Sequence, residues 1–433
     1  MITTTRVESR VDGDALEVTV DLESTPRRLV YGTSEMFPLS EYAEAPHLTE
    51  LFEFLLSFYA ADRLAKRPLP RWRRDFLLNF PVRNVEAWLI AKPLLEQLIR
   101  QSTGDVVDIV LSERPRSSMH ADSRQRPFHF QHEQLTSVAL LSDGLDSFAG
   151  SFAPFAFPGE RCAFVSLVTN TRKGDRIAKI ARYLSERYPR RVLTHPIDLH
   201  LEDPPRRQED SQRSRTMLAI GAGLTVAAAY GAKRLIVSEP GMGILNLPYH
   251  PLQMIHQSSQ VLHPANLALW GDISDLLAGG ARIVYPNRFK TKAQLIGEIP
   301  PDARHIIKVT SSCDAPQRFD ANPDCGVCGS CIFRKIALHV VRLSRFDTTY
   351  TAKAPKGPDY DPADVFWRQA AGIRDALAQR DVWPALLRAQ PTLRNSLIGP
   401  DPASKAQERI ATIDLLTDHA IEMEVLRQLA YAI

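Results

Sequence analysis

The spacing of apolar residues alternates, in the first part of the chain, between the two periods that distinguish strands from helices. Short apolar runs flanked by turn residues indicate strands, and apolar positions three and four residues apart over a longer stretch indicate helices. Residues 1–126 are therefore predicted to form an α+β extension that ends in a polar linker at Ser112–Arg126. The predicted strands are Leu16–Leu22, Phe76–Phe80 and Val106–Leu111, and the predicted helices are Leu48–Leu64 and Val85–Ile99.

Residues 131–345 show a stricter alternation of short apolar runs and helical stretches. Because these runs are continuously apolar, we expect a parallel sheet that is covered by helices on both faces. Ligands of such sheets bind at the carboxyl ends of the strands. The predicted strands are Ser137–Leu141, Ala163–Thr169, Val192–Ile197, Leu235–Ser238 and Arg282–Tyr285, and the predicted helices are Ile177–Tyr188 and Met217–Tyr230.

The last part of the chain is predicted to be helical. A segment rich in proline, lysine and glycine, Thr351–Pro362, forms a second linker. Two or three helices follow within residues 361–433, ending with Gln407–Ala432, and they carry no catalytic signature. The chain is thus predicted to be an α/β protein with domains at 1–126, 131–345 and 361–433.

Composition narrows the class of protein further. The 433 residues are 44% hydrophobic and 24% charged, and the net charge of +3 does not indicate nucleic-acid binding. No apolar run reaches the roughly 20 residues that span a bilayer. The first residues, Met1–Arg10, lack the apolar core of a secretory signal. We therefore expect a cytoplasmic protein without a membrane partner.

The segment Ser142–Ser147, with the sequence SDGLDS, directly follows a predicted strand and precedes a predicted helix. Small residues allow a tight turn there, and backbone N–H groups and the two serine hydroxyls can face a phosphate group. Asp146 either accepts backbone hydrogen bonds or serves as a metal ligand. The alternative is a plain strand-to-helix turn in which Asp146 or Ser147 is the N-cap.

Four of the five cysteines form a cluster with the spacing C-x11-C-x2-C-x2-C, namely Cys313, Cys325, Cys328 and Cys331. Four thiolates suit tetrahedral Zn²⁺, and two-residue spacers let one turn supply neighbouring ligands. A closed set of four ligands indicates a structural ion. An iron–sulfur cluster is a lesser alternative that the spacing leaves open.

The two motifs together resemble one enzyme family. SDGLDS is similar to the PP-loop pattern Ser-Gly-Gly-x-Asp-Ser, with Asp143 in place of the first glycine. The segment 313–334, from Cys313 to Arg334, is similar to the zinc segment of the 7-cyano-7-deazaguanine synthases (QueC), which are PP-loop enzymes. The resemblance covers about half of the chain, from Ser137 to about Arg345.

This resemblance implies a PP-loop domain of the adenine nucleotide alpha hydrolase type that uses ATP, Mg²⁺ and Zn²⁺. Such enzymes activate the carboxylate of 7-carboxy-7-deazaguanine as an adenylate. Asp146, Arg215 and Lys292 are the expected catalytic residues. The expected phosphate-binding residues are Ser142, Asp143, Gly144, Leu145, Asp146 and Ser147.

Further segments resemble the enlarged branch of this family that takes part in bacterial anti-phage defence. The long N-terminal extension supports this, and the matching segments are Gln212–Arg215, Glu239–Pro248, His263–Pro264 and Asn287–Lys292. The branch implies transfer of the activated deazaguanine to the amino terminus of a partner protein of the same system. Synthesis of the nitrile by an ordinary family member, a transferase that modifies tRNA and a degenerate nucleotide-binding scaffold marked by Asp143 remain alternatives.

Overall fold

The computed structural model describes residues 4–12, 15–21, 27–32, 48–68, 73–114, 135–199, 201–202, 209, 213–248, 260–313, 324–351 and 362–425. Most of the two predicted linkers, Ser112–Arg126 and Thr351–Pro362, lies outside these residues. Leu22 and the end of the predicted helix Gln407–Ala432 also lie outside them. No helix in the described ranges combines the length and the apolar character that a membrane crossing requires.

The extension contributes most of a mixed sheet, which has six strands in the described residues, in the order β5-β4-β1-β2-β3-β9. The three predicted strands and two predicted helices are present, with ends that differ by a few residues. The strands are β1 (Thr4–Asp12), β2 (Ala15–Val20), β3 (Arg27–Gly32), β4 (Asp75–Val82), β5 (Val106–Glu113) and β9 (Leu201–Glu202), and the helices are α1 (Glu50–Leu64) and α2 (Val85–Thr103).

The sequence analysis missed β1, β3 and β9. The strand β1 contains only two strongly apolar residues, Val7 and Val11, and so gives a weak apolar signal. Its extended conformation comes from pairing with β2 on one side and β4 on the other. The two-residue strand β9 follows the second sheet in the sequence but pairs with β3. Such pairing between distant segments leaves little trace in local periodicity.

The second sheet has five strands among the described residues, and all of its pairings are parallel, as predicted. The strand order is β11-β10-β6-β7-β8, so β6 is central. The strands are β6 (Ser137–Leu140), β7 (Cys162–Val168), β8 (Val192–Asp198), β10 (Arg234–Ile236) and β11 (Arg282–Val284).

Helices cover both faces of this sheet, which explains the continuous apolar runs. Along β6, Val138 joins one apolar core and Ala139 joins another. Alternate residues of β7 divide in the same way, so neither face of these strands meets water. The helices that connect or follow the strands are α3 (Leu145–Gly150), α4 (Thr171–Arg187), α5 (Arg215–Ala229), α6 (Gly241–Leu245), α7 (Leu267–Leu277), α8 (Lys292–Gly297) and α9 (Gly329–Val340).

The C-terminal region contains the helices α10 (Pro362–Leu377), α11 (Val382–Ala389) and α12 (Pro402–Glu422). The helix predicted at Gln407–Ala432 therefore begins five residues earlier and ends at Glu422. Its start is set by local chemistry, because the Asp401 carboxylate accepts a hydrogen bond from the Ser404 N–H at 2.9 Å. Proline at the first helical position reinforces this start.

One continuous apolar core contains residues of both the extension and the parallel sheet. Phe54 and Leu55 of α1 belong to the same buried cluster as Leu218 and Leu224 of α5. Gly221 of α5 shows how tightly the two helices pack, since a methyl group there would lie 2.4 Å from a carbon atom of Leu55. The division into domains at 1–126, 131–345 and 361–433 stays a prediction.

Candidate active site and metal centre

The loop Ser142–Ser147 leaves the carboxyl end of the central strand β6. From β6 the chain continues to β7 and β8 on one side of the sheet, and later returns to β10 and β11 on the other side. The strand order therefore reverses beside β6. In open parallel sheets, this reversal opens a crevice at the carboxyl ends of the strands, where ligands bind. The loop thus lies at the position where the topology favours a binding site.

The two serines of this loop stabilise its conformation through hydrogen bonds to the loop backbone. The Ser142 N–H donates to Ser147 Oγ at 2.8 Å, and the Gly144 N–H donates to Ser142 Oγ at 3.2 Å. Helix α3 begins after Gly144, which is its N-cap and provides no side-chain cap. The alternative in which Asp146 or Ser147 caps this helix is therefore wrong. Both side chains are engaged elsewhere.

Asp146 is paired with Lys292, another predicted catalytic residue. Lys292 Nζ lies 2.7 Å from Asp146 Oδ2, and both side chains are largely buried. The other oxygen, Asp146 Oδ1, is buried and has no hydrogen-bond partner among the described residues. Thr291 positions the lysine by capping α8: its hydroxyl accepts from the Gln294 N–H, and Gln294 Oε1 accepts from the Thr291 N–H. The metal-ligand interpretation of Asp146 stays a prediction.

Cationic side chains surround Asp143 on the opposite flank of the loop. Arg176 of α4 lies 3.5 Å from the Asp143 carboxylate. Lys173, one turn earlier, interacts electrostatically with both Asp143 and Arg215, the first residue of α5. Burial and Arg215 lower the pKa of Lys173 to about 8, although Asp143 opposes this shift. Asp143 thus interacts with two cationic groups, and Arg215 lies near one of them, so this flank carries a net positive charge that suits an anion.

The sequence analysis did not predict Lys173 and Arg176. The sequence did contain a signal for them. Both residues lie in the first two turns of the helix that follows β7, at the same edge of the sheet as the loop. Asn170 starts this helix by accepting a hydrogen bond from the Lys173 N–H at 2.9 Å. An Asn cap with basic residues directly after a buried parallel strand indicates an anion site at that edge.

The extension fixes the start of α5 and thereby the position of Arg215. Asp62 of α1 accepts hydrogen bonds from the Ser214 N–H at 3.1 Å and from the Ser214 hydroxyl at 2.6 Å. Burial alone would raise the pKa of Asp62, but Arg74 and Ser214 hold it below its ordinary value. Arg213 does not join the site, because it is buried and donates to the Thr103 carbonyl oxygen at 2.7 Å. Of the two neighbouring arginines, only Arg215 therefore lies near the loop, where it interacts with Lys173.

The four clustered cysteines converge on one point. The sulfur atoms of Cys313, Cys325, Cys328 and Cys331 all lie within 4.8 Å of one another. The Cys328 N–H donates to Cys325 Sγ at 3.3 Å, which orients that sulfur atom. Gly326 takes a φ of +79°, which glycine adopts at little cost and which closes the turn between Cys325 and Cys328.

This arrangement could hold a metal ion such as zinc. The neighbouring sulfur atoms of Cys313 and Cys328, together with burial, raise the pKa of Cys331 far above its ordinary value. A cation at the centre would reverse this effect by stabilising thiolates. Four sulfur ligands at such distances fit the tetrahedral coordination of a structural zinc ion, with no position left for a substrate.

The metal centre and the loop are physically connected. The Ser311 N–H, two residues before Cys313, donates to the Asp143 carbonyl oxygen at 2.8 Å. Asp324, directly before Cys325, accepts from the Ser311 hydroxyl at 2.6 Å. Ser311 therefore links the four-cysteine segment to the loop, a contact that the sequence analysis missed.

Arg334 holds the segment before Cys313 in place. It is completely buried in α9 and donates to the carbonyl oxygens of Ile307 and Thr310 and to the Asp347 carboxylate at 2.7 Å. These contacts tie the helix that carries Cys331 to the chain that leads into Ser311. Arg334 therefore supports both the metal centre and the loop without facing either.

Comparison of the chain with protein-family models, with curated proteins and with solved structures finds no match in any of the three.

Proposed function

We propose that this protein adenylates the carboxylate of 7-carboxy-7-deazaguanine with ATP and transfers the activated deazaguanine to an amine, in bacterial anti-phage defence. The observation that carries the proposal is the hydrogen-bonded link between the loop Ser142–Ser147 and the four-cysteine segment, which runs through Ser311 at the carboxyl end of the central strand. The motif resemblance pairs these two segments in one family. Their contact in space is what a shared site requires.

The charges around the loop support adenylation. Attack of a carboxylate on the α-phosphorus of ATP forms an acyl–phosphate bond and releases pyrophosphate with its bonding electrons. The released group is strongly anionic, and preorganised cations lower the barrier to its departure. Lys173, Arg176 and Arg215 provide such cations on one flank of the loop. Mg²⁺ bound to the phosphates would add positive charge to this step.

Residues elsewhere around the loop also have roles that suit adenylation. Lys292, held by Asp146, can balance the negative charge of the α-phosphate during attack. Asp143 stands where the related pattern has glycine, but Arg176 offsets its charge. This pairing favours a working nucleotide site over the degenerate scaffold.

The final acceptor is tested by intact mass spectrometry. The enzyme is incubated with ATP, Mg²⁺, 7-carboxy-7-deazaguanine and the proteins encoded beside it. We expect a mass gain on the first residue of one partner, because an α-amino group with a reference pKa near 8 is far more often unprotonated at neutral pH than lysine. Accumulation of the free nitrile beside unmodified partners would instead identify an ordinary nitrile synthase. Absence of ATP binding would favour the scaffold.

The substitution Asp143→Asn is expected to tighten binding of ATP with Mg²⁺ by about three- to tenfold, on the order of 1 kcal/mol for a partly exposed charge. It removes a carboxylate that repels phosphate and releases Arg176 from its ion pair. The contact with Ser311 is retained, since it uses the main-chain carbonyl group. Titration calorimetry measures the change, with Asp175→Asn on the exposed side of α4 as the matched control. Weaker binding in Asp143→Asn would show that the carboxylate assists the nucleotide.

A further inference from the structure

Glu239 lies next to the loop across the point where the strand order reverses. The strands β10 and β6 are parallel neighbours, with Leu235 paired to Val138 and Ile236 paired to Ala139. Three residues beyond this last pair, just past the ends of the two strands, the chain reaches Glu239 after β10 and Ser142 after β6. Glu239 therefore leaves the sheet at the mouth of the crevice where the reacting groups would meet.

The carboxylate of Glu239 packs closely against the helix that follows it. A methyl group at Gly243 of α6 would lie 2.0 Å from Glu239 Oε1, so the glycine lets this helix pack against the carboxylate in its present position. Gly241, the first residue of α6, packs on its other neighbour, because a methyl group there would lie 2.3 Å from the Arg288 carbonyl oxygen. Gly243 thus places α6 directly against Glu239, and Gly241 fixes the start of the same helix against Arg288.

This carboxylate has no hydrogen-bond or ion-pair partner in the part of the chain that the structure describes. The charged groups that act on it are Asp146 of α3 and Lys292 of α8, and α6 presents only backbone and apolar atoms to it. Burial and Asp146 raise the pKa of Glu239 to about 7, and Lys292 opposes this rise. Asp146, by contrast, is already committed to Lys292.

We infer that Glu239 is the general base of the transfer step, accepting the proton that the amine loses as it attacks the adenylated carboxyl carbon. This inference rests on the proposed function. The amine nitrogen donates its electron pair to the carboxyl carbon and forms the C–N bond. The bond from that carbon to the phosphate oxygen breaks, AMP leaves with the bonding electrons, and the nitrogen's proton moves to a Glu239 oxygen. Atoms and charges balance without a further reactant.

The position of Glu239 suits this role better than any other carboxylate of the site. Asp146 accepts a hydrogen bond from Lys292 Nζ at 2.7 Å, and Asp143 lies among cations on the flank assigned to pyrophosphate. A base whose pKa lies near the working pH is both available and able to take a proton. Because the pKa of Glu239 is raised to about 7, its carboxyl group is mostly protonated below this pH and can accept a proton above it, so we expect the transfer rate to rise as the pH increases through this value.

The test separates the two half-reactions in Glu239→Gln. The first is followed by exchange of labelled pyrophosphate into ATP in the presence of 7-carboxy-7-deazaguanine, and the second by formation of the amine adduct. We expect exchange within about twofold of wild type and transfer slower by about 100-fold, a typical contribution of general-base catalysis. The matched control is Glu298→Gln, since Glu298 is an exposed carboxylate paired with Lys290 in the same region.

A second measurement distinguishes a base from a structural residue. Hydroxylamine is largely unprotonated at neutral pH, so it needs little help from a base. It should therefore restore product formation by Glu239→Gln to near the wild-type rate, and the pH dependence near 7 should disappear. Equal losses of exchange and transfer, or no rescue by hydroxylamine, would overturn the inference. A wild-type enzyme without exchange would refute the proposed function itself, and the inference would then fall with it.

Discussion

Replacing Cys325 with serine is expected to abolish metal binding and to lower the melting temperature of the protein by roughly 10 °C. In a domain of about 200 residues, this shift corresponds to a loss of about 4 kcal/mol in the free energy of unfolding. Cys325 is completely buried and one of four converging sulfur ligands. Structural zinc contributes about 10–16 kcal/mol to the folding of small zinc domains, so loss of a ligand affects folding directly. Elemental analysis should find about one zinc ion per wild-type chain and none in the variant.

The Cys325→Ser substitution should also impair the reaction with ATP. Ser311 connects the metal centre to the Asp143 carbonyl group, so a disordered centre removes a support of the loop. We expect pyrophosphate exchange to be lost in Cys325→Ser. Cys162→Ala is the matched control, because Cys162 is buried in β7, outside the cluster. It should keep its zinc ion and its exchange activity. Full zinc content in Cys325→Ser, or iron in the wild-type protein, would refute the assignment of a four-cysteine zinc centre.

The substitution Lys292→Met is expected to lower the rate of pyrophosphate exchange by about 100- to 1000-fold, as for the removal of one preorganised charge from an active site. Two consequences follow from the loss of this lysine. The α-phosphate loses a cation during attack, and Asp146 is left as an uncompensated, largely buried carboxylate. Methionine retains most of the side-chain volume, so we expect the fold and the zinc content to remain unchanged.

The chain itself offers a matched control for this experiment. Lys290 lies two residues earlier and pairs with the exposed Glu298 at 2.7 Å, away from the loop. Exposed ion pairs of this kind contribute about 0–1 kcal/mol. Lys290→Met should therefore leave exchange within about twofold of the wild-type rate. If both variants were equally active, Lys292 would have no part in adenylation, and its contact with Asp146 would be only structural.

The parts of the fold that the sequence predicts are those whose signal is local. The five strands of the parallel sheet are buried on both faces, so each is a continuous apolar run that can be recognised without knowing its neighbours. Strand β1 is the counter-example. It is polar apart from two valines, and its conformation depends on pairing with β4, which lies more than sixty residues away in the sequence.

The residues of the candidate site also fall into two groups, those with a local sequence signal and those brought together only by the fold. The sequence by itself determined the loop Ser142–Ser147 and the four cysteines, because their chemistry depends on residue type and short spacing. Only the tertiary structure decided their surroundings. It pairs Asp146 with Lys292 across 146 positions of sequence, turns Arg213 toward the extension, and brings Glu239 close enough to Asp146 and Lys292 to interact with both charges. Such contacts depend on the order and register of the strands, which emerge when the whole sheet packs and which no local window of sequence contains.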